Sequence, residues 1–121
     1  MTLGKLIEKV KEEKPNAFKT EKLVSFVNDI EVEVAEQLKV VDIPVYTEDD
    51  MDEELLAPAP YSRLYESYLK AMIDYANEEY PSYENNQVQH VQDFRDFVDW
   101  VVRTDQVQGD PSFPRRMRNI F

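Results

Sequence analysis

The sequence predicts an all-α protein: a compact bundle of about four helices, with a long acidic segment between two of them and an extended C-terminal tail. Three observations carry this. Apolar residues recur at three- and four-residue spacing in four stretches. Prolines punctuate those stretches, as helix breakers do. Only Gly4 and Gly109 are glycine, so glycine-dependent tight hairpins have little to work with. With 42% hydrophobic and 12% aromatic residues in 121, the chain can build one core and is too apolar to be disordered.

The first helix is expected from Leu3 to about Glu13, with Leu3, Leu6, Ile7 and Val10 on one face. Pro15-Asn16 stops it. Thr20 is placed to cap the second helix, its hydroxyl accepting from a free N–H of the first turn. That helix runs to about Lys39, with Leu23, Val27, Ile30, Val34 and Leu38 inward and Phe26 widening the stripe. Glu31, Glu33 and Glu36 are assigned to its solvated side.

Residues 40–60 read as a long excursion. Val40-Val41-Asp42-Ile43-Pro44-Val45-Tyr46 is β-branched and suits a short extended piece, which Pro44 confines to an edge. Glu48–Glu54 then packs six acids into seven residues, before Leu55-Leu56-Ala57-Pro58-Ala59-Pro60. Segments of this length between helices tend to carry function or an interface.

Pro60 fits the first position of the third helix, where its missing N–H costs nothing. This helix extends to about Glu79 and buries Leu64, Tyr65, Tyr68, Leu69, Met72 and Ala76. Pro81 makes an uninterrupted helix costly, and Ser82 is placed to cap the fourth, from about Tyr83 to Arg103. Val91, Phe94, Val98 and Val101 form its stripe, with Phe97, Trp100 and Val102 beside it. The short turn makes the last two helices an antiparallel pair. The expected core joins helices two, three and four. The expected organisation is a helical domain over 1–104 and a docking tail over 105–121.

Charge narrows the function classes. Fourteen bases against twenty-five acids give −11, so the phosphate backbone of nucleic acid and anionic lipid should be repelled. A protein that surrounds DNA without gripping it remains open. The absence of cysteine excludes disulfides and thiolate metal sites, and no apolar run approaches a membrane span. Met1-Thr2-Leu3-Gly4-Lys5 does not open a secretory signal, which leads to the expectation of a reducing cytoplasm.

Catalytic motifs are missing. His90 is the sole histidine, so two-histidine metal motifs cannot form and a triad would rest on one residue. An EF-hand starting at Asp50 would place Leu55 at the glycine position and Tyr61 at the bidentate acid. The acidic run therefore reads as a solvated loop. Neither a metal nor a cofactor is expected, and an enzyme is the least supported class. Tyr61, Tyr65, Tyr68, Tyr75, Tyr80 and Tyr83 are many for one helix and its border, and tyrosine is favoured at interfaces.

Several segments together resemble a known family. They are Leu6-Ile7, Pro15-Asn16-Ala17-Phe18, Leu55-Leu56-Ala57-Pro58-Ala59-Pro60-Tyr61, Leu64-Tyr65, Tyr68-Leu69 and Met72 to Glu78. Tyr83-Glu84-Asn85-Asn86, Phe94, Phe97, Trp100 and Arg103-Thr104 complete the set. Over about residues 3–104 this is similar to the small head–tail connector (head completion, adaptor) proteins of tailed phages and prophages. The resemblance implies a largely helical, non-enzymatic virion subunit. It would form a homo-oligomeric ring at the neck, between the portal protein and a tail-side connector or tail terminator. It implies assembly in the host cytoplasm, DNA passing through the lumen without specific binding, and no membrane.

Candidate interface residues are Tyr61 and Tyr65 with Phe113, Arg115, Arg116, Arg118, Ile120 and Phe121. Residues 105–121 sum to +1, with Arg115, Arg116 and Arg118 against Asp105 and Asp110, while residues 1–104 carry −12. An aromatic, slightly basic strip on an acidic body suits docking on a neighbour; a free C-terminus is the other reading. The rival function is an acidic phage protein that mimics DNA and inhibits a host DNA-binding enzyme.

Overall fold

In a computed structural model the described residues are 1–108, with side chains through Thr104; residues 109–121 lie outside them. All regular elements among these residues are helical: α1 (Leu3–Glu13), α2 (Thr20–Leu38), α3 (Arg63–Ala76) and α4 (Tyr80–Gln108). A single 3₁₀ turn, Glu48–Asp50, interrupts the connection between α2 and α3.

α1 starts where extended Thr2 turns its hydroxyl back to accept from the Lys5 N–H at 3.2 Å. It buries Leu3, Leu6, Ile7 and Val10, so the core joins all four helices rather than the last three. Its N-terminus is also tied to the acidic segment. The Leu3 and Gly4 N–H groups donate to the Glu53 and Met51 carbonyls at 2.9 and 2.8 Å. A Cβ on Gly4 would sit 3.0 Å from the Met51 oxygen, a tight contact that glycine avoids.

α2 buries the five positions of the expected stripe, together with Val24, Glu31 and Ala35. Thr20 does not cap it. Thr20 is the first helical residue, and its hydroxyl accepts from Lys11 Nζ at 2.9 Å. At the far end Lys39 is left-handed (φ 60°); its N–H reaches the Glu36 carbonyl and that of Val40 reaches Ala35. Glu78 repeats this arrangement after α3, again at φ 60°, with Glu78 and Glu79 donating to Tyr75 and Asp74. Both are six-to-one and five-to-two closures made without glycine.

α3 begins at Arg63, later than expected, because Tyr61 and Leu64 N–H groups first close turns on Pro58 and Tyr61. α4 begins earlier, at Tyr80, with Pro81 in the first turn where an N–H has no helical partner. Ser82 is not its cap, since its hydroxyl donates to Asp74 Oδ2 at 2.7 Å. α4 continues past Arg103 to Gln108.

Contacts fix the directions. Lys9 meets Glu66, Glu13 meets Lys70 and Lys14 meets Asp74, so α1 and α3 run parallel. Asp74 faces Asn86, Arg63 faces Asp96 and Tyr61 stacks on Trp100, so α3 and α4 are antiparallel. The rings of Tyr68, His90, Phe94, Phe97, Trp100 and Tyr61 follow one another along this interface at centroid spacings of 5.2 to 6.1 Å. Phe97, not Phe94, is the fully buried member; Val91 and Val102 face solvent.

Candidate functional site

The connection between α2 and α3 is organised by a residue assigned above to the solvated face. Glu31 is fully buried. Its Oε2 accepts from the Tyr46 hydroxyl at 2.7 Å and from the Leu56 N–H at 3.2 Å. Its Oε1 accepts from the Tyr65 hydroxyl at 2.5 Å, and that hydroxyl accepts from the Ala57 N–H at 2.9 Å. Burial pushes the Glu31 carboxyl above its ordinary range, against the pull of these hydrogen bonds. Burial and the neighbouring carboxylate drive both phenols far up, so they stay protonated donors. The sequence signal was present: Glu31 falls among Val27, Ile30, Val34 and Leu38 on the helix surface, within the apolar stripe.

Glu31 and Asn28 hold the segment from both sides of Tyr46. Asn28 Oδ1 accepts from the Tyr46 N–H at 2.8 Å and its Nδ2 donates to the Tyr46 carbonyl at 3.0 Å. Thr47 and Asp50 then form a reciprocal capping box around the 3₁₀ turn. The residues just before this anchor face outward: Val41 is 93% exposed, Val45 76% and Ile43 39%. Alongside runs an open groove of about 400 Å³ between the first half of α2 and residues 46–49. Val24 and Tyr46 form its buried floor, and exposed Glu21, Glu48 and Asp49 stand around it.

A second buried carboxylate fixes the α3–α4 turn. Asp74 accepts from Ser82 at 2.7 Å and Asn86 at 2.6 Å and is ion-paired with Lys14. Burial opposes its ionisation, but these partners outweigh burial and hold the carboxyl below its ordinary range. His90 sits nearby in the ring series, its Nδ1 3.0 Å from the Leu64 carbonyl, and burial lowers its basicity. These groups are spent on packing and hydrogen bonding.

Of the candidate interface residues, Tyr65 is fully buried on Glu31 and belongs to the core. Tyr61 is half-buried against Trp100. Phe113, Arg115, Arg116, Arg118, Ile120 and Phe121 lie outside the described residues. Tyr75 and Tyr80 are exposed, in edge contact with each other. The exposed Val41-Ile43-Val45 strip lies in the 40–60 excursion whose length suggests an interface, although none of its three residues is named above as a site.

Among the described residues, no group of three or more histidine, aspartate or glutamate side chains is placed to hold a metal ion. No helix there is long and apolar enough to cross a membrane. No family model, curated protein or solved structure matches the chain.

Proposed function

We propose that this chain is a structural subunit of a phage head–tail connector ring, contributing surface rather than catalysis. One observation carries the reading: a strip of β-branched residues, Val41, Ile43 and Val45, is held outward next to the tightly anchored Tyr46. Apolar side chains left exposed on a −11 protein are poor solvent surface and good assembly surface. The acidic body suits a channel wall, because it repels the phosphates of passing DNA. The sequence resemblance over residues 3–104 points the same way.

The experiment is co-sedimentation with the purified portal complex. The full-length protein should move with the portal, and Val41→Ser/Val45→Ser should bind at least about tenfold more weakly while keeping its helical circular dichroism. Stoichiometric capture of a DNA-binding enzyme, with no affinity for portal, would instead support the DNA-mimic reading.

A further inference from the structure

We infer that the groove between α2 and residues 46–49 is the docking site for residues 113–121 of a neighbouring copy of the chain. The inference rests on the ring-subunit reading and names the contact that would join adjacent subunits.

The two surfaces match in chemistry. The groove has an apolar floor of Val24 and Tyr46, and Val45, the residue before Tyr46, is exposed. Its acids, Glu21, Glu48 and Asp49, are in no ion pair among the described residues. The neighbouring groove near α1, of about 560 Å³, shares Glu48 with it but is also lined by Lys11, whereas no basic side chain lines the groove against Tyr46. Residues 113–121 carry three arginines and no acidic side chain, interleaved with Phe113, Met117, Ile120 and Phe121. Guanidinium forks suit carboxylates at a rim, and aromatic and aliphatic side chains suit a floor. The remainder of the chain, residues 1–112, carries eleven bases against twenty-five acids, so this +3 segment is opposite in charge to the body it would dock on.

Reach is sufficient. α4 delivers the chain to Gln108, and residues 109–121 span up to about 45 Å when extended. That distance covers the width of a helical domain of this size, so an adjacent subunit lies within range.

The chain has no cysteine, which makes cross-linking clean. Ser25 lines the groove and is exposed. Full-length Ser25→Cys mixed with full-length Asn119→Cys under mild oxidation should give a disulfide-linked dimer containing one of each. A Gln92→Cys control on the exposed side of α4 should give little. Adding Arg115→Glu and Arg116→Glu to the tail partner should lower the mixed dimer about tenfold or more, and high ionic strength should act in the same direction. Equal yields at Ser25 and Gln92, or no mixed dimer, would overturn the inference. So would a doubly substituted chain that closes only on itself. Portal binding measured on the same samples separates the two claims. Retained portal binding without the cross-link sinks the docking contact alone, and loss of both sinks the ring-subunit reading with it.

Discussion

A carboxylate taken fully out of water keeps its place only if its oxygens are given donors, and Glu31 has three: Tyr46, Tyr65 and Leu56. Glu31→Ala would strand two phenol hydroxyls and an N–H, so urea unfolding should show a loss of roughly 2–4 kcal/mol. A loss of a few tenths would place Glu31 at the surface. Glu31→Gln keeps the shape and can still accept from Tyr46 and Leu56 while donating to Tyr65, so it should be far milder. It also isolates the pH dependence. With the folded carboxyl raised above its ordinary value of 4.5, the folded state holds a proton that the unfolded chain releases. Stability from this group is therefore fully present below pH 4.5 and falls as pH rises to the raised value. The difference between wild type and Glu31→Gln should decline over that window and then level; a flat difference would contradict it. Lys39 and Glu78 make a simpler case. Both hold φ 60°, where a side chain crowds the backbone, so Lys39→Gly and Glu78→Gly should each raise stability by up to about 1 kcal/mol. Unchanged or lower urea midpoints would show that these side chains contribute more than the strain they impose.

At the level of helices, the α3–α4 pair is built around Phe97. Phe97→Ala should cost about 3–5 kcal/mol in urea unfolding, and half-buried Phe94→Ala distinctly less. The reverse order would mean that α4 is rotated from its observed face. How much of this was legible follows from the physics of each signal. The α1 boundaries and the α2 stripe were readable because periodicity reports a helix directly. On α4, six aromatic or branched residues crowd positions 94–102, so the pattern could not say which position points deepest. The polar starts misled for another reason. Thr20 and Ser82 have the right chemistry for caps, but tertiary partners, Lys11 and Asp74, take their hydroxyls. The helix ends were hidden because Lys39 and Glu78 stand where glycine would have announced a left-handed residue. Glu31 was readable from its place in an apolar stripe, whereas the groove was not, since it exists only once Asn28 has drawn Tyr46 onto α2.

For the whole molecule, charge and shape pull in different directions. A net −11 makes copies repel one another, while the exposed Val41-Ile43-Val45 strip and the acid-rimmed groove favour a partner. Association then depends on contacts that bring positive charge to the acids and cover the valines. On the proposed connector reading, copies associate only weakly in solution and close into a ring on a portal that supplies the template. Electron microscopy of the portal complex mixed with the full-length protein tests this most directly. A closed ring of additional helical density stacked coaxially on the portal is the predicted result, with an open central channel. A portal unchanged after saturation with the protein would contradict it.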